Sequence, residues 1–351
     1  SPSQLPRVLR ICAKGLQMFK PLAGLALIAS LASISPSSAR EVRVYSGRHY
    51  NTDRQVFKTF SEKTGIKVRL IEATGISLVE RLKREGSKSK ADVILLVDAA
   101  RINNAAEAGL LRSIQSNQLE KQIPSLYRDP KDRWFGLTRR VRAIIVNPDI
   151  VDPAKIKAYA DLARPEFAGK LCLRNRKNVY NQSLVADQII LKGESSAKSW
   201  VNGMVKNVTQ PYFTGDTSLI RAVGQGKCGI GVVNHYYLAR MQSGASGKND
   251  QTVAAKIKLV MPNPAHVNIS AAGVAQSAQN LKEAIELIEF LASPQGSSAM
   301  AGPTYEYPLK GFGSSKQLKA FGTFTPDNVS INALGRTQKK ALQMMVQEGW
   351  R

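Results

Sequence analysis

The chain has 351 residues, 43% hydrophobic and 22% charged, with 50 Lys and Arg against 26 Asp and Glu, a formal charge of +24. That length exceeds one ordinary domain and favours two lobes. The charge would suit a nucleic-acid binder, but the short basic runs Arg139-Arg140-Val141-Arg142 and Arg174-Asn175-Arg176-Lys177 lack interleaved aromatics for base stacking, so they read as a solvated basic surface and nucleic acid is excluded as a partner.

Arg7, Arg10, Lys14 and Lys20 precede an apolar run from Pro21 to Ile34, followed by Ser35-Pro36-Ser37-Ser38-Ala39. This is the pattern of an export signal, with an uncleaved membrane anchor as its rival. The run is shorter than the ~20 residues a spanning helix requires. Cys12 lies before the apolar core, so it is not a lipid-attachment cysteine at a cleavage point. Residues 1–39 are assigned to the signal, and the mature chain begins near Arg40. Losing four basic residues and no acidic ones lowers +24 to +20. The expected compartment is the periplasm, with a membrane-associated or lumenal pool as the alternative. There Cys172 and Cys228 are able to pair, and no Cys-x-x-Cys spacing points to a metal role. Sequence alone leaves disulfide and free thiols both open.

From Glu41 the chain alternates strand and helix. Glu41–Tyr45 is an alternating strand, and Asn51-Thr52-Asp53 caps a helix whose apolar stripe is Val56, Phe57 and Phe60 and which Gly65 closes. Ile66–Ile71 reads as a strand, Leu78–Arg84 as a helix and Ala91–Val97 as a buried parallel strand. A crossing segment follows at Gly136–Asn147. Beyond it come a strand at Lys170–Leu173, a helix at Ser183–Leu191, a strand at Pro211–Thr214, a helix at Thr217–Gly224 and a strand at Gly229–Val233. Ala271–Ala275 and the helix Leu281–Leu291 form one more unit, returning to the first lobe. The alternation predicts an α/β fold of two lobes, each a doubly wound, mostly parallel sheet, joined by a hinge. The first lobe takes residues 40–138 plus 265–312, and the second 139–264 plus 313–351.

In open α/β sheets the binding crevice lies beyond the carboxyl ends of the strands. Tyr50 follows the first strand, Tyr180 follows Leu173, and Tyr236-Tyr237 follow Val233 directly. Scattered core tyrosines would not all fall in post-strand loops or helix starts. Phenolate oxygen is a hard anionic donor, and three or four together suit a hard trivalent cation better than a softer divalent one.

At these residues the chain resembles the periplasmic ferric-ion-binding proteins of ATP-binding-cassette (ABC) importers, especially their cyanobacterial members. The resemblance covers essentially the whole mature chain. It rests on Tyr45-Ser-Gly-Arg-His-Tyr50, Tyr159-Ala-Asp-Leu-Ala-Arg-Pro-Glu166, Asn178-Val-Tyr-Asn-Gln-Ser183, Gly229-Ile-Gly-Val-Val-Asn-His-Tyr-Tyr237 and Glu306-Tyr-Pro308. It implies a type II periplasmic-binding-protein fold, a two-lobed clamp closing on one Fe³⁺. Tyr50 would come from the first lobe and Tyr180, Tyr236 and Tyr237 from the second. His49 is either a further ligand or a histidine that orients Tyr50. His235 and His266 read as structural or surface residues. Four phenolates leave the site at a charge of about −1, which a guanidinium would offset. Arg240 is the first candidate, lying on the same face as the tyrosine pair if a helix begins there. Arg48, Arg139 and Arg140 follow for that role or for holding a small synergistic anion such as carbonate or citrate. The implied partner is an inner-membrane importer permease, and the protein is expected to be a monomer.

Two other functional readings fit the sequence less well. An iron-dependent redox enzyme has no support in motifs, since there is no His-Glu-x-x-His, no Gly-x-Ser-x-Gly and no phosphate-binding glycine loop. An organic cargo on the same clamp, whether polyamine, thiamine or sugar, would call for an acidic or tryptophan-rich pocket. Only Trp134, Trp200 and Trp350 are present.

Overall fold

The computed structural model describes residues 38–351 apart from His49 and Gln210. The export-signal reading of residues 1–39 therefore lies, but for its last two residues, outside the described residues, as does the assignment of His49. Residues Ala39–Arg351 form one compact unit.

Period-2 and period-3.6 patterns become the expected elements nearly in place. β1 (Glu41–Ser46) is followed by the helix Asp53–Thr64, which buries Val56, Phe57 and Phe60 and ends on Gly65 in the left-handed region, φ 74°. β2 (Lys67–Glu72), the helix Gly75–Glu85 and β3 (Val93–Val97) complete the opening alternation, β3 being buried at every residue. Then come β4 (Leu111–Arg112), β5 (Phe135–Val146), β6 (Leu171–Cys172), β7 (Ile230–Asn234), β8 (Lys258–Val260), β9 (Val267–Ala275) and β10 (Tyr307–Pro308). The strand expected at Pro211–Thr214 does not form. Only an isolated bridge joins Phe213 to Arg174, and Pro211 has no N–H to give a ladder.

The ten strands make one α/β sheet ordered β2-β1-β3-β9-β5-β7-β6, with β10 and β8 on β5 and β4 on β9. Pairing is parallel where strand-helix units build it, in β1–β2, β1–β3 and β6–β7. It is antiparallel around the two long crossing strands β5 and β9, which pair from Phe135↔Ala272 to Val141↔Val267. β5 is shared by two neighbourhoods. Its first half pairs with β9 and β10, and its second half, from Arg142 to Val146, with β7 and β8. The larger core runs under β1, β3, β5 and β9, and a smaller one gathers Leu219, Ile220, Val223 and Leu238 around Cys172 and Cys228.

Two close approaches position the site. Gly47, just past β1, lies against the start of the helix Gly75–Glu85, where an added Cβ would stand 3.1 Å from the Gly75 Cα. The C-terminal helix Ile331–Gln347 packs on the helix Val179–Lys192. Among the described residues no helix is long and apolar enough to cross a membrane.

Candidate metal centre

Three strand ends deliver the tyrosines. Tyr50 lies in the loop after β1, and its carbonyl accepts from the Asp53 amide as the next helix begins. Past β6, the Asn178 side chain caps the helix Val179–Lys192 by accepting from the Tyr180 amide at 2.8 Å. Past β7, the helix His235–Ser243 carries Tyr236 and Tyr237 in its first turn. All four positions therefore leave from carboxyl ends of strands, as the topology requires.

Tyr50, Tyr180 and Tyr237 line one cavity of about 360 Å³ with Arg48, Arg101, Arg140 and Arg240. Thr74, Gly75 and Ile76, at the start of their helix, close another side. Tyr236 lies directly behind this wall, fully buried, its ring centroid 4.5 Å from that of Tyr237. Its hydroxyl accepts from Arg140 Nη1 at 2.8 Å and from Asn234 Nδ2 at 3.1 Å. Arg240 stands among the phenols, its guanidinium 5.1, 4.6 and 5.5 Å from the rings of Tyr50, Tyr236 and Tyr237. It donates to the Tyr50 hydroxyl at 3.1 Å and to the Thr304 carbonyl. Arg142 and Arg174 lie over the Tyr180 ring at 5.7 and 5.5 Å.

Burial pushes the Tyr236 phenol well above its ordinary value, and the neighbouring tyrosines add to this against the opposing pull of Arg140. Burial, with Tyr180 and Asp216 next, raises Tyr237 as well. Both phenols are thus protonated at neutral pH in the absence of a bound cation.

Two buried charge networks fix the arginines. Glu306 accepts from Arg48 at 2.9 Å, Arg140 at 2.6 Å, Thr138 at 2.7 Å and Thr304 at 2.7 Å. Burial would raise its carboxyl, but the two guanidinia outweigh that and hold it well below the ordinary value. Arg48 is also bidentate to Asp53, at 2.8 and 3.1 Å. In the second network Arg142 donates to Asp216 at 2.6 Å and to Asn181 at 2.8 Å, and Arg174 shares Asp216 at 3.1 Å.

Several expectations need correction. Arg139 is not at the site, because alternate residues of β5 face opposite ways. Its guanidinium donates to the Pro308 and Gly311 carbonyls beneath the Phe324 ring. Nor is the run Arg139-Arg140-Val141-Arg142 a solvated surface, since all three arginines are buried on β5. His235 is structural, as expected. Its Nδ1 accepts from the Val141 amide at 3.1 Å and its Nε2 donates to the Tyr305 carbonyl at 2.7 Å. Burial pushes it down to about 3, so it stays neutral. His266 is likewise buried, the structural one of the two alternatives. Cys172 and Cys228 are paired, with Cα atoms 6.0 Å apart. The residues not singled out in sequence are Arg101 and the anchors Glu306, Asp216 and Asn181. Glu306 sits in a noted motif, but nothing local marks it as the partner of two arginines more than 160 residues away.

Comparison with known proteins points the same way. The profile of the bacterial extracellular solute-binding proteins matches residues 88–324. Iron uptake protein A1 of Synechocystis is 38% identical over 322 residues, covering 90% of this chain and 89% of that protein. The chain belongs to the bacterial extracellular solute-binding protein family. Among relatives of this family, the Fe(3+)-binding periplasmic protein of Serratia marcescens is 27% identical over 89% of this chain and 91% of its own. Among solved structures, Trichodesmium FutA (IdiA) in complex with iron and citrate ligands superposes with a TM-score of 0.86 at 40% identity, covering 89% of this chain and all of that one. Apo FutA2 from Synechocystis gives 0.84 at 36% identity, again over 89% of this chain and all of the other. The α/β architecture is therefore the periplasmic-binding-protein fold.

Proposed function

We propose that this chain is an extracytoplasmic ferric-ion-binding protein that captures Fe³⁺ on Tyr50, Tyr180, Tyr236 and Tyr237 and delivers it to an ABC importer. The observation that carries this reading is the convergence on one cavity of phenols from three separate strand ends, with Tyr236 immediately behind. Such donors suit a hard trivalent cargo, and the iron-uptake relatives support the same choice. The role is binding, not turnover. Four phenolates around one ion leave little room for a substrate, and the matching relatives carry transport names.

The clamp works by division of labour between two lobes. The second lobe, residues 139–264 plus 313–351, brings three phenols, and the first, residues 40–138 plus 265–312, brings Tyr50. Iron enters on the second lobe, and closure about β5 and β9 adds Tyr50. The sharing of β5 between two strand neighbourhoods supports a hinge there. Four phenolates around Fe³⁺ would leave the site at a charge of about −1, and the nearness of Arg240 and Arg140 to the phenols supports their offsetting it. The remaining cavity, walled by Arg101 and the amino end of the helix Gly75–Glu85, suits a small synergistic anion such as citrate. The closed monomer is the form an inner-membrane permease would recognise.

Tyr50→Phe tests this division. The variant should still bind ferric ion, more weakly, and should fail to compact on loading when scattering is measured with and without iron. Unchanged affinity together with unchanged compaction would refute the assignment.

A further inference from the structure

Away from the cavity, three buried side chains converge from three separate segments. Asp187 lies on the helix Val179–Lys192, two turns past Tyr180. His266 directly precedes β9, and Asp327 precedes the C-terminal helix. Asp187 is fully buried, His266 is 2% exposed and Asp327 8%.

One potential ligand atom from each of Asp187, His266 and Asp327 lies within 4.8 Å of the other two. Among the described residues Asp187 Oδ1, His266 Nδ1 and Asp327 Oδ2 have no hydrogen-bond partner. Asp187 Oδ1 and His266 Nδ1 approach to 3.2 Å, the separation of an ion pair when the imidazole is protonated. The second oxygen of each carboxylate is held from outside the cluster. Asp187 Oδ2 accepts from Gln188 Nε2 at 3.0 Å, and Asp327 Oδ1 accepts from the Val329 amide at 3.1 Å.

Three buried ligand groups therefore gather within 4.8 Å while the second oxygen of each carboxylate is anchored, an outer shell of the kind that orients metal ligands. Buried polar atoms without partners are rare enough to require a reason. Without a metal the cluster must hold protons: burial and the facing Asp187 push Asp327 up to about 8, while Asp187 raises His266 and His266 lowers Asp187, each against its burial.

We propose that Asp187, His266 and Asp327 form a second metal site, structural in role, for a first-row divalent cation of the Zn²⁺ type. One imidazole and two carboxylates are a borderline donor set that such an ion accepts and a hard trivalent ion does not require. Zinc bonds of about 2.0–2.2 Å place neighbouring tetrahedral ligands roughly 3.3 Å apart. The Asp187–His266 separation of 3.2 Å already matches this. Two carboxylates and a neutral imidazole carry −2, which a divalent ion cancels.

Such an ion would tie together three segments that the chain brings to one place. His266 is fixed to β5 by Tyr159, which donates to the Arg142 carbonyl at 2.6 Å and accepts from the His266 amide at 3.0 Å. The Asp327 amide donates to the Ala265 carbonyl at 2.9 Å. The ion would thus pin the Tyr180 helix and the C-terminal segment to a crossing strand, independently of cargo.

The test uses the mature chain with Tyr236→Phe and Tyr237→Phe, so that the phenol cavity does not compete. It is unfolded with a chelator and refolded with Zn²⁺ alone. About one zinc per chain should survive desalting, and anomalous scattering at the zinc edge should peak among Asp187, His266 and Asp327. Asp187→Asn in the otherwise unaltered chain should lose that zinc and keep ferric binding. Absence of retained zinc in the refolded chain, or a zinc peak elsewhere, would overturn the site and leave protons as the charge the triad holds. Neither measurement on the chain with the two tyrosines replaced requires the Asp187 variant to fold.

Discussion

Glu306 accepts hydrogen bonds from two guanidinia that reach the cavity, Arg48 and Arg140. Removing one partner of a buried ion pair leaves an uncompensated charge and costs about 3–5 kcal/mol. Glu306→Gln should therefore destabilise the empty protein by roughly that amount in urea unfolding, and loosen the Tyr236 hydroxyl that Arg140 holds. A loss below about 1 kcal/mol would mean the two arginines find other partners. The folded carboxyl lies below its ordinary value of 4.5, so its contribution is present above that pH. The contribution fades as the pH falls below 4.5, and the variant's difference from the parent should fade with it. The four tyrosines could be found in sequence because each follows a readable strand. Their arginine and carboxylate partners could not, because a buried charge on β5 and a surface charge look alike until pairing across 74 residues to Asp216 or 166 to Glu306 is known.

Strand and helix patterns were legible wherever the apolar period was strong. The Val56, Phe57 and Phe60 stripe and the fully apolar β3 are examples. Pro211–Thr214 misled because its Tyr-Phe content resembles a strand, although it lacks a partner ladder. The helix Val179–Lys192 extends four residues before the expected start at Ser183, because the Asn178 cap moves it forward and places Tyr180 in its first turn. At this scale the Cys172–Cys228 bond ties β6 to the residue two positions before β7, the two strands that lead to Tyr180 and the tyrosine pair. It closes a separation of 56 residues, for which chain entropy gives about 4 kcal/mol of stability. Cys228→Ser should lower the denaturant midpoint accordingly. An unchanged midpoint would show that the smaller core carries this region unaided.

For the whole molecule, the proposed clamp links cargo to protons and to shape. Tyr236 and Tyr237 are held protonated by burial, so ferric ion must displace both protons. Each displaced proton weakens binding about tenfold per pH unit below the phenol's own value. These two alone predict roughly hundredfold weaker ferric affinity for each unit of acidification near neutrality. Competition with a chelator whose own protonation is known would measure that slope, and a flat profile would exclude phenolate ligands. The central claim, a tyrosinate ferric site, is tested most directly by the visible spectrum. Mature protein titrated with ferric citrate should develop a phenolate-to-iron charge-transfer band that saturates at one iron per chain and fades in Tyr236→Phe/Tyr237→Phe. Absence of the band, with no iron retained, would contradict the account and favour an organic cargo on the same fold.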